Sequence, residues 1–406
     1  AFFIIGYALV AESFAREYTA LLTVVLATFY VFHVSFFLSR RLLDRGLLLS
    51  FFALAAFFLT VSIPLALSRE WITVCWAVQA FVMLWIAGKL DSTFLRYLSY
   101  VLYAMVIGRF CFLDLTAKYT SSLTPDVPLA TYFKSLVERL VVFGVPILSL
   151  AGAGWLAKHD VAPTRSVGAE NDLRSAVKPD LTVPAIGFAV VAMLFVYLHL
   201  EINRSLLILF PPLRFPALTF LWVALCFYML SAYRSRPSRP ALVAFLIVST
   251  AMLVKLFVFD LAHWRLDLEA GRYAGPTYDA LAGGMRLLDF GLLIAFALYT
   301  YGACRGGRAE ARPLAGVYFT AAIALLFVFT STELNTVLYA YVPGLRPGGI
   351  SILWSAFALS LVFGGIRRGA RTARYAGLLL FAVVALKVFL VDLEDLDPVY
   401  RIVAFI

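Results

Sequence analysis

Long apolar runs alternate with short polar interruptions along the whole chain. A helix of about 20 residues, rising about 1.5 Å per residue, crosses a hydrocarbon layer of roughly 30 Å, and most of these runs reach that length. The runs are continuous and do not alternate between apolar and polar positions, which favours helices over strands. The pattern therefore predicts an all-α, polytopic membrane protein.

Composition and charge agree with this prediction. Hydrophobic residues make up 63% of the chain and charged residues 14%, whereas soluble domains carry about a quarter charged residues. The formal net charge of +10 would suggest nucleic acid in a soluble protein, but cations between membrane spans first serve topology. We expect membrane lipids and other membrane-protein subunits as partners, and no nucleic acid.

A pattern of four spans, termed a, b, c and d, repeats along the chain. Because both ends lie inside apolar runs, we expect a piece of a longer polypeptide, with a truncated first span near 2–10 and a truncated last helix. The predicted divisions are N-terminal spans at 1–46, a first four-helix unit at 47–157, a cytoplasmic connector at 158–180, a second unit at 181–312 and a third at 313–406. Within them, spans are predicted near 18–38; 47–67, 71–88, 94–115 and 133–157; 181–210, 215–233, 241–261 and 285–304; and 313 onward, 350–366 and 375–393.

Polar positions repeat in register between the second and third units. Glu201 and Glu333 lie 132 positions apart, and the same separation relates Asn203 to Asn335, Arg214 to Arg346, Trp222 to Trp354, Lys255 to Lys387, and Asp260 to Asp392. A separation of 146 relates Trp76 to Trp222, Asp114 to Asp260, and Arg109 to Lys255. Such self-similarity indicates tandem triplication. An even number of helices in each unit makes the copies parallel.

Loop charges predict the orientation. The loops between helices b and c of the second and third units are rich in arginine and free of acids; they contain Arg234, Arg236, Arg239, Arg367, Arg368, Arg371 and Arg374. By the positive-inside rule these loops face the cytoplasm, so the a–b and c–d loops face outward. A role of the arginines in binding anionic lipid headgroups is the alternative explanation.

Each c helix ends in a basic residue followed five positions later by an aspartate, as in LVKLFVFDL with Lys255 and Asp260. Five residues turn about 140° around a regular α-helix, so these two side chains are expected to point apart. Glu201, at a similar outer depth on helix a, is the expected partner of Lys255, and Glu333 is the expected partner of Lys387.

We therefore predict two outward-facing polar clusters and a degenerate third one. The cluster of the second unit comprises Glu201, Asn203, Arg214, Lys255, Asp260 and Arg286, and that of the third comprises Glu333, Asn335, Arg346, Lys387, Asp392 and Arg401. The first unit retains Arg109, Asp114 and Arg139.

Two interpretations of these clusters stay open at this stage. Ion pairs can hold helices together within lipid, or buried ionisable groups can line a path for an ion, a proton or a polar headgroup. The sequence contains no recognisable catalytic motif, and its four histidines are scattered, so we expect no metal site and no cofactor, and the sequence favours a protein that is not an enzyme.

Several segments resemble a known family. The run WITVCWAVQAFVMLW, the paired Glu-x-Asn helices and the closing LKVFLVDLEDLDPVYRIVAF look like bacterial multi-spanning membrane proteins of domain of unknown function 2339. Gln79 departs from the acidic residue expected in that family. The resemblance covers nearly the whole chain and implies a polytopic protein of the bacterial inner membrane. It implies no reaction or substrate.

The function expected from the duplicated clusters is transport or flipping of a polar or charged cell-envelope component. The alternative is a non-catalytic scaffold subunit of a membrane complex. A third possibility, an envelope-sugar transferase, has only the acidic residues of the second c–d loop in its favour, namely Asp267, Glu269 and Asp279.

Overall fold

The structure is a computed structural model and consists almost entirely of helices. It describes residues 16–39, 45–90, 92–120, 128–160, 182–275, 277–307, 311–367 and 369–392. The predicted first span at 2–10, most of the connector at 158–180 and the last helix of the third unit, with Arg401, lie outside the described residues. The side chain of Asp392 also lies outside them.

The helices of the first half follow the apolar runs closely. They are α1 (Arg16–Ser39), α2 (Arg45–Ala66), α3 (Ile72–Lys89), α4 (Thr93–Arg109), a π-helical segment (Phe110–Asp114), α5 (Leu115–Tyr119), α6 (Leu129–Asp160) and α7 (Thr182–Leu209).

The second half continues with the same kind of element. A 3₁₀ turn (Pro211–Leu213) leads into α8 (Arg214–Ser235), which is followed by α9 (Arg239–Val254), a π-helical segment (Lys255–Asp260), α10 (Leu261–His263), a hairpin of β1 (Leu266–Asp267) and β2 (Arg272–Tyr273), α11 (Ala280–Arg305), α12 (Arg312–Tyr341), a 3₁₀ turn (Pro343–Leu345), α13 (Arg346–Arg367), α14 (Arg371–Lys387) and a π-helical segment (Val388–Asp392).

Capping residues explain several of the helix starts. The side chains of Ser92, Ser238 and Asp279 accept hydrogen bonds from backbone N–H groups in the first turns of α4, α9 and α11. Pro240 and Pro313 lie in the first turns of α9 and α12, where a missing N–H costs nothing. The short connections between spans are thus encoded locally.

Ten of the described helical stretches are long and apolar enough to cross a membrane. Large apolar side chains also cover their outer surfaces, including Phe112, Leu148, Ile352 and Tyr375, each at least 70% exposed. Contiguous exposed apolar surface of this kind is rare on soluble monomers. The prediction of an all-α polytopic membrane protein is confirmed.

The chain divides into two compact parts, Ala1–Leu200 and Glu201–Ile406. In the first part α3 packs against α4 and α6, and Phe110 meets Phe143 edge to face at 5.4 Å between ring centroids. In the second part α8 packs against α9 and α11, and α12 packs against α11 and α13. Its core includes Phe245, Leu256 and Phe290, all fully buried. The division into three four-helix units stays a prediction.

Candidate functional site

Lys255 and Asp260 form a buried ion pair, with Nζ 2.6 Å from Oδ2. The expectation that these side chains point apart is therefore wrong. The reason is the π-helical segment between them, in which the N–H of Leu261 bonds to the carbonyl of Leu256, five residues earlier. A π-turn widens the helix so that positions five apart stack, unlike in a regular α-helix.

The same local structure recurs at the two related motifs. Arg109 Nε lies 3.6 Å from Asp114 Oδ1, and a π-helical segment joins the two residues. The third copy also enters a π-helical segment, Val388–Asp392, directly after Lys387. Each basic-x4-Asp motif is therefore accompanied by an extra residue in a helical turn. Such π-bulges occur frequently at functional sites.

A hydroxyl group on the preceding helix completes each of these motifs. Thr73 donates to Asp114 Oδ2, Lys255 donates to Thr219 Oγ1 at 2.8 Å, and Lys387 donates to Ser351 Oγ at 2.9 Å. Thr73 and Thr219 lie 146 positions apart, and Thr219 and Ser351 lie 132 apart. The hydroxyl position therefore keeps the register found from the charged residues, although it was not among the predicted site residues.

The two predicted glutamate–lysine pairs do not form. The ammonium group of Lys255 is bound to Asp260 and Thr219, not to Glu201, which accepts from Ser205 at 3.1 Å. Glu333 does not pair with Lys387 but with Arg286 and Tyr278. Depth in the membrane suggested both pairs, but depth alone does not specify which helix faces which.

Arg286 of α11 and Glu333 of α12 form a double hydrogen bond. Nε and Nη2 of Arg286 donate to the two carboxylate oxygens of Glu333, each at 2.9 Å, and this fork geometry is the strongest form of such a pair. The hydroxyl of Tyr278 donates to the same carboxylate at 2.6 Å. Arg286 also lies 4.0 Å from the ring centroid of Tyr273. The structure therefore joins Arg286 to a residue of the predicted third cluster.

Close packing at Gly283 allows this arrangement. A Cβ atom at this position would collide with the Tyr278 hydroxyl and lie 2.9 Å from Oε1 of Glu333. Burial, and then the hydrogen bond to Glu333, raise the pKa of Tyr278 to about 12. Burial likewise raises the pKa of Tyr273 to about 12. Both phenols are therefore neutral at physiological pH, and that of Tyr278 donates to Glu333.

The Asn–Arg pairs of the second and third clusters have matching geometry. Arg214 Nε donates to Asn203 Oδ1 at 2.6 Å, and Arg346 Nε donates to Asn335 Oδ1 at 2.6 Å. In each pair a proline-initiated 3₁₀ turn brings the arginine to the start of its helix. The two Asn–Arg pairs, which lie 132 positions apart in the sequence, thus make the same contact.

The β-hairpin rests on the second of these pairs. The amide of Asn335 donates to the carbonyls of Ala270 and Gly271, and Arg346 Nη2 donates to the carbonyl of Ala270. Arg272 lies 3.7 Å from the ring centroid of Tyr339. The c–d loop of the second predicted unit is therefore fixed by residues of the third.

A buried carboxyl group that does not belong to the predicted clusters adjoins the Lys255–Asp260 pair. Asp289 of α11 is fully buried and lies beside Asp260 and Thr219, within electrostatic reach of Lys255. Neither of its oxygens makes a hydrogen bond, and the same is true of Oδ1 of Asp260. The sequence feature that could have indicated Asp289 is a single acidic residue within an apolar span, in the motif RLLDFG.

The other predicted residues are placed as follows. Arg139 is buried and donates to Ser135 at 3.1 Å, with Tyr132 at 5.7 Å from its guanidinium. Lys387 also donates to the carbonyl of Pro347 at 3.2 Å. Among the described residues, no group of three or more His, Cys, Asp and Glu side chains is arranged to hold a metal ion.

Two cavities lie away from these clusters. One of about 370 Å³ is lined by apolar residues of α12, α13 and α14, including Phe319, Phe357 and Ala373. The other, of about 210 Å³, lies beside Arg234 and Cys304. Neither is lined by a residue of the predicted clusters.

The apolar helices and the ion pairs buried among them define a polytopic integral membrane protein. The family model described as predicted membrane protein, domain of unknown function 2339, matches residues 1–406. The chain therefore belongs to this multi-spanning membrane family, as the resemblance implied. No curated protein and no solved structure matches the chain.

Proposed function

We propose that this protein is a transporter or flippase-like protein for a polar or charged cell-envelope component in a bacterial inner membrane. The observation that carries the proposal is the group formed by Lys255, Asp260 and Asp289. An ion pair that only holds helices together needs one cation for one anion. This group instead contains two carboxyl groups and one ammonium group. Such an excess of ionisable groups inside a membrane span favours a functional site.

The π-helical segments give further support. They begin at or directly after the basic residue and end at the aspartate of each motif. A π-helical turn can return to α-helical geometry if the helix shifts by one residue. This shift would separate Lys255 from Asp260. The pair could therefore open and close as the helix changes between two geometries, as alternating access requires.

The proposed architecture is three tandem, parallel four-helix units. Equal Asn–Arg bonds 132 positions apart support the relation between the second and third units. The hydroxyls of Thr73, Thr219 and Ser351 support the extension to the first unit. A transport path built from repeated units is common among membrane transporters.

A scaffold subunit of a membrane complex is the second candidate. The network of Arg286, Glu333 and Tyr278 favours it, because both carboxylate oxygens are engaged and the three side chains join α11, the preceding loop and α12. In this role the protein would bind lipids and other membrane subunits, and its ion pairs would only fix helices.

A deletion strain of the native host separates the two candidates. Under the transport proposal, one lipid-linked or otherwise polar envelope component changes its distribution between the membrane leaflets, and wild-type protein restores it. The Asp289→Asn variant fails to restore it, whereas Glu269→Gln, which removes an exposed loop carboxylate, restores it. An unchanged distribution together with loss of another membrane protein from the membrane would overturn transport and favour the scaffold.

A further inference from the structure

The buried group around Asp289 contains more acceptors than donors. Oδ2 of Asp260 accepts from Lys255, but Oδ1 of Asp260 and both oxygens of Asp289 accept no hydrogen bond. The ammonium group of Lys255 is engaged by Asp260 and by Thr219. Asp260 and Asp289 are both 0% exposed, so bulk solvent does not reach them. No hydrogen bond from a described side chain reaches these three carboxylate oxygens, although the Thr219 hydroxyl lies beside Asp289.

The neighbouring charges do not balance the second carboxylate. Arg286 lies three residues before Asp289 on α11, but its Nε and Nη2 donate to Glu333. The charges of Arg286 and Glu333 therefore cancel each other. Tyr273 faces the same region as an uncharged phenol. Thr219 is the group that α8 contributes. One cation, Lys255, thus faces two carboxyl groups.

We propose that Asp289 and Asp260 form a proton-binding pair, in which Asp289 carries the proton and the charge of Asp260 is matched by Lys255. One proton balances the charge and supplies a donor for one of these oxygens. It makes the group electrically neutral, and it gives Asp289 an O–H that donates to the free Oδ1 of Asp260. Two acidic groups that share one site hold a proton between them for this reason.

A proton fits this site better than a metal ion. Calcium and magnesium take about six or more oxygen ligands, and among the described side chains of this group only three carboxylate oxygens are unbound. The ammonium group of Lys255 would also repel a second cation. A proton needs only one donor and one acceptor, which Asp289 and Asp260 provide.

The site is confined to the second predicted unit. Arg139, Arg286 and Arg401 begin related motifs, but the residue three positions later is Val142 in the first unit and Ala404 in the third. Val142 is 1% exposed, so the first unit buries an apolar side chain where the second buries Asp289. Because valine fills the related position, packing does not require a carboxyl group there. The inference goes beyond the proposed transport, because it applies equally to a scaffold.

Infrared spectroscopy of the purified full chain in lipid bilayers tests this proposal by the carbonyl stretch of a protonated carboxyl group. At neutral pH we expect a band equal to one protonated group. The band disappears in Asp289→Asn and in Asp289→Val, and it remains in Glu269→Gln. It also disappears in Asp260→Asn, because one ammonium and one carboxylate are then balanced.

Removal of the ammonium group gives the opposite change. In Lys255→Met we expect the band to double, because both carboxyl groups then become protonated. Absence of the band from wild-type protein at neutral pH overturns the proposal. Persistence of the band in Asp260→Asn also overturns it, since an isolated buried acid would not depend on its neighbour. The presence or absence of the band in wild-type protein tests the proposal even if a variant fails to fold.

Discussion

The ammonium group of Lys255 lies 2.6 Å from the carboxylate of Asp260, five residues further along the same helix. In a regular α-helix these side chains would diverge by about 140°, so the contact depends on the π-helical segment. The turn that accommodates one extra residue is thus also the turn that pairs the charges. Any change that restores α-helical geometry would separate them.

Breaking this pair from one side should be strongly destabilising. Lys255→Met leaves two carboxyl groups in the buried site, and we expect a loss of roughly 3–5 kcal/mol in the free energy of unfolding. Unfolding in mixed micelles by increasing denaturing detergent measures this loss. The double variant Lys255→Met/Asp260→Leu should recover much of it, because the buried carboxyl group that has lost its partner is removed as well.

An exposed ion pair in the first part of the chain provides the control. Lys118 contacts Glu138 at 2.8 Å, with side-chain exposures of 25% and 38%, and solvent screens such pairs. We expect Glu138→Gln to change the free energy of unfolding by about 0–1 kcal/mol. An equally small effect of Lys255→Met would contradict the buried pairing of Lys255.

Gly283 should be intolerant of a side chain. A Cβ there would collide with the Tyr278 hydroxyl and crowd Glu333, so Gly283→Ala should displace Tyr278 and lower the thermal stability of the protein. Gly284 is the matched control, because a Cβ there meets no atom within 4 Å. Gly284→Ala should be neutral or stabilise the helix by about 0.5–1 kcal/mol. The prediction fails if both variants have the same melting temperature.

Tyr278 should ionise at unusually high pH. Its pKa is raised from 10.0 to about 12, first by burial and then by the hydrogen bond to Glu333. Because the folded-state pKa is the higher one, the stabilisation is fully present below pH 10.0 and is lost as the pH rises to about 12. The difference in tyrosinate absorbance between wild-type and Tyr278→Phe protein measures this ionisation. Titration at the ordinary value would contradict the contact with Glu333.

The hairpin of β1 and β2 should depend on Arg346. Arg346→Ala removes the hydrogen bonds to Asn335 and to the carbonyl of Ala270, and we expect faster hydrogen exchange at 266–273. Arg214→Ala removes the equivalent bond to Asn203 but should leave exchange at 266–273 close to that of the wild type. Equal acceleration in both variants would argue against a specific support of the hairpin by Arg346.

Hydropathy predicted the spans closely because lipid imposes both length and polarity on each helix. For example, the predicted span at 215–233 is contained within Arg214–Ser235. Partner choice could not be predicted in the same way. The π-helical segments, the pairing of Arg286 with Glu333 and the position of Asp289 depend on local helix geometry and on which faces meet, and neither follows from the apolar pattern.

The central claim is that the group around Asp289 serves activity and does more than hold helices together. Asp289→Val tests it most directly, because the first unit buries Val142 at the related position. In the deletion strain of the native host, we expect this variant to reach wild-type abundance in the membrane and yet leave the leaflet distribution of envelope components as in the deletion. Wild-type abundance with a wild-type distribution would contradict the claim.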